Sequence, residues 1–254
     1  MNTKKVSIIC ICLCVKTTST LRINPIFKKN KTLKSSLIIP CHPSHAPHLY
    51  PLLELYAQQT RLPDEVVISL SEINRVPLSI ISNLTNKGWP FTVKLITSRE
   101  KFYAGQNRNK AAKNSTGDVI ICQDADDIPR PQRTEIIMYF FENFEIDHLI
   151  HLCTKNEKLL FNKINHGSLR FLHYRNFKKT LTKNLNNAKH VVTNGNIACR
   201  RHVVEKLKWS HTNIPHEDTF FNKAIYEGFS KCIIIPYTLI IYRMALSTWR
   251  KNKP

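Results

Sequence analysis

Short apolar runs recur through the first half of the chain, and their spacing leaves few folds open. Ser36-Leu37-Ile38-Ile39-Pro40 and Val119 to Cys122 are continuous apolar runs, which read as strands covered on both faces. Val66 to Leu70 and Phe91 to Ile96 read as two further strands between them. The intervening segments have helical character. His48 to Gln59 puts Leu49, Leu52, Leu53 and Tyr56 on one face; Leu78 to Leu84 follows; Asn107 to Asn114 carries Ala111 and Ala112 for close packing, with Gly117 as its stop. Arg133 to Phe144 is a helix after the fourth run. The order βαβαβαβα predicts an α/β fold with a mostly parallel central sheet and helices on both faces.

The 254 residues suffice for one large domain, and 42% hydrophobic residues supply a sizeable core. No apolar run reaches the roughly 18–20 residues of a spanning helix, which excludes a polytopic membrane protein. Lys and Arg number 38 against 18 Asp and Glu, a net charge of +20. That balance suits an anionic partner such as a nucleotide, a nucleic acid, an acidic glycan or a membrane surface. The basic residues are spread out and form no arm or stripe, so charge alone assigns no function. Cys10, Cys12 and Cys14 lack a matching pair downstream; Cys41, Cys122, Cys153, Cys199 and Cys232 are expected as buried free thiols. Residues 1–35 form a basic leader. In it, Lys4-Lys5 and the apolar stretch Val6 to Val15 have the form of a signal or anchor, or of an extra strand.

The second half is less regular. Leu149 to Cys153 and His190 to Thr193 are strand candidates, Arg201 to Leu207 a short helix, and Asp218 to Gly228 a helix. Cys232 to Ile235 and Leu239 to Tyr242 are late strands, with Pro236 at an edge or turn between them. Lys155 to Lys189 interleaves basic and aromatic residues. It is either a binding surface, with Phe171 or Tyr174 free to stack on a flat or sugar face, or a solvated face.

The chemistry concentrates in Asp124-Ala125-Asp126-Asp127, directly after a buried strand. In open α/β sheets ligands bind at the carboxyl ends of strands. Crowded carboxylates repel one another unless a cation compensates, and hard oxygen ligands suit Mg²⁺ or Mn²⁺ bridging to phosphates. Asp124 and Asp126 project to the same side of an extended segment. The competing reading is a helix cap, with Asp127 as the capping residue. His42, His45 and His48 have the spacing of a helical face, with no second ligand set in view.

The chain resembles the family 2 glycosyltransferases of GT-A fold. The resemblance rests on the first strand at 36–40, Ala104-Gly105-Gln106-Asn107-Arg108-Asn109-Lys110-Ala111-Ala112, Gly117-Asp118, the Asp124–Asp127 cluster, Asn194-Gly195-Asn196 through Arg200-Arg201, and His216-Glu217-Asp218-Thr219. It implies a single domain over 36–250, with a donor-binding half at 36–130 and an acceptor-binding half at 131–250. It also implies transfer of one sugar, with inversion, from a nucleoside-diphosphate sugar to a hydroxyl. Asp218 matches the catalytic base. Asp126 matches the direct metal ligand, and Asp124 serves metal and donor together. Pro40, Arg108, Asn109 and Lys110 match donor contacts; Gly195, Asn196 and Glu217 match acceptor contacts. The implied cofactor is Mn²⁺ or Mg²⁺, the donor a UDP- or GDP-sugar, and the acceptor a glycan, lipid or protein. Nucleic acid is not an expected partner, and peripheral membrane contact is left open. Location is cytoplasmic or membrane-associated, or the secretory lumen if the leader is a signal.

Two departures stand out. The acidic pair usual after the second strand is replaced by Ser69-Leu70-Ser71-Glu72, which leaves Glu72 as the candidate for reading the nucleobase. The late His that adds a metal ligand is missing from Tyr242-Arg243-Met244-Ala245. The alternative functions are a basic nucleic-acid-binding protein and a non-catalytic glycan-binding relative.

Overall fold

The computed structural model describes residues 32–158, 162–173, 194–212 and 217–243. The apolar stretch Val6 to Val15, the strand expected at His190 to Thr193, Tyr174, His216 and the tail beyond Arg243 lie outside the described residues.

The four apolar runs form β1 (Ser35–Cys41), β2 (Glu65–Leu70), β3 (Thr92–Thr97) and β4 (Val119–Cys122). β1 pairs in parallel with β2 and β4, and β2 pairs in parallel with β3. The crossovers carry α1 (Ala46–Ala57), α2 (Leu78–Asn86) and α3 (Ala104–Lys113). Strand alternation divides the core between two faces. Leu37 and Ile39 pack with Leu49, Leu53 and Tyr56 of α1 and with Leu84 of α2, whereas Ile38 packs on the opposite side with Ala111 and Ala112 of α3. Pro40 sits in a central strand without cost because β4 pairs with β1 only as far as Ile38. The missing N–H falls where that neighbour has already turned away.

Beyond β4 the chain adds β5 (Ile128–Pro129), α4 (Arg133–Asn143), β6 (His148–Thr154), β7 (Leu172–His173), β8 (Ile197–Arg200), α5 (Arg201–Lys206), α6 (Glu217–Gly228) and β9 (Cys232–Ile241). The strand order is β3-β2-β1-β4-β8-β6-β9-β5, with β7 against β9. β8 runs antiparallel to both β4 and β6, so the parallel arrangement is carried by the first four strands and by the β6–β9 pair. The two late strands expected around Pro236 are one strand. Pro236 is exposed and lies where the β6–β9 register slips between His151↔Ile235 and Leu152↔Thr238. Its missing donor therefore interrupts no regular ladder.

Phe171, expected as a candidate for stacking on a sugar, is half-buried and packs against the edge of the core. Its ring lies 6.0 Å from Phe140 and 5.0 Å from Phe144, centroid to centroid, and packs against α4. The five described cysteines are free thiols, four of them buried and Cys153 half-buried. Among the described residues no helix is long and apolar enough to cross a membrane.

Candidate active site

β4 ends at the carboxyl rim of the sheet, and Gln123 shapes the acidic loop beyond it. Its backbone N–H donates to the Ile38 carbonyl at 3.1 Å. Its side-chain amide turns forward and donates to the carbonyls of Asp124 (2.8 Å) and Asp127 (3.2 Å), so the loop is wound around one glutamine. From the other side the Arg243 N–H donates to Asp127 Oδ1 at 3.0 Å, and the Arg243 guanidinium donates to the Asp126 carbonyl. Asp127 does not cap the following helix; Gln132 holds the N-cap position of α4.

The electrostatics of the loop come from crowding. Asp126 and Asp127 are 5% and 2% exposed. Burial first, then the neighbouring Asp124 carboxylate, pushes the Asp126 carboxyl above its usual range. Asp127 is pushed further, by burial and by both neighbouring acids. Its Oδ2 is buried with no hydrogen-bond partner. A loop in this state gains from an added cation.

Arg108 ties this loop to the other end of the chain. It projects from α3, is 5% exposed, and donates from Nη2 to Asp124 Oδ1 at 2.7 Å and from Nη1 to Glu217 Oε1. Glu217 and Asp218 form the first turn of α6, so Arg108 brings the start of α6 to the tip of β4. Glu217, expected on the acceptor side, thus turns its carboxylate to the arginine. Asp218 is half-buried, and its Oδ1 accepts from the Thr219 N–H at 2.7 Å. Gly195 completes the cluster. A Cβ at this position would stand 3.0 Å from Asp124 Oδ2 and 3.3 Å from Asp127 Oδ2, so the missing side chain lets the turn lie this close to the acids.

Three predicted site residues have partners within the protein. Asn109 clamps the main chain of Trp209, donating to its carbonyl at 2.9 Å and accepting from its N–H at 3.1 Å. Lys110 reaches the Thr97 carbonyl at 3.3 Å and lies over the Phe102 ring. The Asn196 side chain is buried and donates to the His151 carbonyl at 2.7 Å.

Pro40 and Glu72 lie along the same rim. Pro40 is buried within β1 opposite Ser69 of β2. Glu72, after β2, adopts a left-handed backbone (φ 50°), accepts from Arg75 at 2.8 Å and lies 3.6 Å from His42 Nε2. The acidic residues missing after β2 are replaced by a neutral network in which the buried Asn107 accepts from Ser69 Oγ at 2.8 Å and donates to Ser71 Oγ at 3.2 Å. Sequence reasoning missed Asn107, Arg243 and the buried Arg133. Asn107 and Arg243 stood inside quoted motifs without a role, and the contacts of Arg243 and Arg133 with the loop and the Gly195 turn join residues distant in sequence. Among the described residues, no group of three or more His, Cys, Asp and Glu side chains gathers in a way that could hold a metal ion.

A profile for "Glycosyl transferase family 2" matches residues 36–208, which include the rim of the sheet from Pro40 to Gly195. The chain belongs to this family. No curated protein matches the chain. Solved glycosyltransferases share the fold. S. aureus TarS (residues 1–349) in complex with UDP-GlcNAc superposes with a TM-score of 0.66 at 16% identity, over 87% of this chain and 61% of TarS 1–349. The mannosyltransferase PcManGT from Pyrobaculum calidifontis, in complex with GDP-Man and Mn²⁺, gives 0.57 at 16% identity, over 89% of this chain and 62% of that one. The chain thus spans about three fifths of the length of these structures. This glycosyltransferase domain has the GT-A-like α/β architecture, with its acidic loop at the carboxyl rim where that fold places a ligand.

Proposed function

We propose that this glycosyltransferase moves one sugar from a nucleoside-diphosphate sugar to an acceptor hydroxyl, with inversion and with a divalent cation. The observation that carries the reading is the double ion pair of Arg108, which joins the acidic loop after β4 to the turn of α6 that bears Asp218. The similar folds hold UDP-GlcNAc in TarS and GDP-Man with Mn²⁺ in PcManGT, so a UDP- or GDP-sugar is the donor class that fits.

The carboxylates of the loop suit a hard cation. Asp126 and Asp127 are buried, the three repel one another, and one oxygen of Asp127 is unmatched. With no third convergent ligand among the described residues, Asp124 and Asp126 would be the protein's share, leaving positions for donor phosphate oxygens and water, the usual habit of Mg²⁺ and Mn²⁺. Such an ion, when bound, supplies positive charge to a departing nucleoside diphosphate.

The chain's own residues do the rest. Arg108 holds Asp124 in place and adds a buried positive charge beside it. Asp218, at the N-terminal turn of α6, takes the proton of the acceptor hydroxyl as that oxygen attacks. Attack from the face opposite the diphosphate inverts the anomeric carbon. Gly195 leaves room beside Asp124 for the reacting groups. The acceptor is a glycan, lipid or protein hydroxyl.

The test is a thermal-shift panel of UDP-GlcNAc, GDP-mannose and a CMP-sugar, each with and without Mn²⁺. Stabilisation by one nucleotide class that grows with Mn²⁺ is the expected result. Indifference to all three, with stabilisation by nucleic acid that vanishes steeply with salt, would overturn the reading in favour of a basic binding protein.

A further inference from the structure

Arg133 is the most completely buried cation among the described residues, at 0% exposure, and the reaction proposed above does not use it. It rises from the first residue of α4 beneath the acidic loop, and all of its guanidinium nitrogens donate. Nε donates to His151 Nε2 at 3.2 Å and Nη1 to the Tyr56 hydroxyl at 2.6 Å. Nη2 donates to the Cys122 carbonyl at 2.7 Å and the Gly195 carbonyl at 2.8 Å. No carboxylate is among these partners, so burying this charge is costly unless its surroundings return the energy.

The partners fall into two limbs. In the first, Tyr56 accepts from Arg133 and donates onward to Gln123 Oε1 at 2.7 Å, and Gln123 in turn holds the carbonyls of Asp124 and Asp127. In the second, Arg133 holds Gly195 directly, while His151, whose Nε2 accepts from Arg133, takes the Asn196 amide on its backbone carbonyl. Burial and the Arg133 charge hold the His151 imidazole far below its usual pKa. It is therefore neutral, with Nδ1–H donating to the Leu152 carbonyl at 2.9 Å and Nε2 free to accept.

We propose that Arg133 is a positioning residue: one guanidinium sets the acidic loop and the Gly195 turn at a fixed separation, and the Tyr56–Gln123 relay transmits its hold to the donor-binding carboxylates. The planar fork is what does this, because a lysine would keep the charge and lose the simultaneous contacts. The inference rests on the proposed glycosyl transfer, and its test separates the two.

Donor hydrolysis by the whole chain is followed with UDP-GlcNAc and GDP-mannose in Mn²⁺, and binding of UDP and GDP is measured by calorimetric titration. Arg133→Lys, Tyr56→Phe and the double variant are compared with wild type, together with their melting temperatures. Tyr56→Phe, which keeps the buried ring, is expected to raise the donor KM and the nucleotide Kd about three- to tenfold, the size of one buried hydrogen bond. Arg133→Lys is expected to raise both by more and to lower kcat. The double variant is expected to resemble Arg133→Lys alone, because both changes cut the same relay. A merely structural role lowers kcat in step with the folded fraction and leaves KM and Kd unchanged. That pattern in folded variants, or full additivity in the double variant, overturns the inference. A wild-type chain that turns over neither donor removes the proposed transfer, and the inference with it.

Discussion

At the scale of single residues, the site is held by groups whose side chains have no slack. Arg108 spends its charge on Asp124 and Glu217 and is buried between them. Replacing it with Met leaves two half-buried carboxylates close together without their shared partner, a change that costs at most the roughly 3–5 kcal/mol of breaking a fully buried pair. Arg108→Met is therefore expected to lower the denaturation midpoint sharply and to abolish nucleotide binding. A midpoint within a degree of wild type would contradict the double ion pair. Gly195 is constrained more gently. Gly195→Ala places a methyl 3.0 Å from Asp124 Oδ2, so the carboxylate must move by a few tenths of an ångström. Turnover is expected to fall about three- to tenfold with little change in melting temperature, since small misplacements of reacting groups are costly in rate. Arg108 was legible in the sequence motif. The side chain of its neighbour Asn109 was not, because adjacent helical residues point about 100° apart and a motif does not say which of them faces the cleft.

At the scale of elements, the strands were legible because apolar runs of this length have few alternatives. Pro236 misled because a register slip accommodates it, and a slip depends on the partner strand. The amino-terminal edge of the sheet shows what a linear reading cannot supply. Glu65 opens β2 and accepts from Ser36 Oγ of β1 at 2.6 Å and from Thr116 Oγ1 ahead of β4 at 3.0 Å, and it pairs with Lys94 of β3 at 2.7 Å. Burial opposes its ionisation, but the hydrogen bonds from Lys94, Ser36 and Thr116 outweigh burial and bring its pKa down from 4.5 to about 2. A carboxyl depressed on folding stabilises the native state above its unfolded pKa and loses that contribution as pH falls through the folded value. Glu65 therefore contributes about 3 kcal/mol at neutral pH, an upper figure, that drains away between pH 4.5 and about 2. Urea titrations of wild type and Glu65→Gln are expected to differ at pH 7 and to converge near pH 2. A constant difference across that range would show that the carboxylate's charge is not what matters.

At the scale of the whole molecule, two cores share one sheet and one rim. β1 feeds Leu37 and Ile39 to one side and Ile38 to the other, and β8 joins the parallel strands to the mixed half. Unfolding is expected as a single transition that nucleotide and Mn²⁺ shift as a unit; two separated transitions, one moved by ligand, would contradict a continuous sheet. The overall α/β class was legible in the alternation of elements, whereas the reversal at β8 was not, because strand direction in the second half depends on pairing across long sequence separations. The central claim is that the acidic loop and the first turn of α6 act on one bound donor. Asp218→Asn tests it most directly, with donor turnover and UDP or GDP affinity measured in Mn²⁺ on the same preparation. The account predicts nucleotide affinity within about twofold of wild type and turnover reduced about 10²- to 10⁴-fold, the usual contribution of a general base. Turnover that persists in this variant, with the nucleotide bound as before, would contradict it.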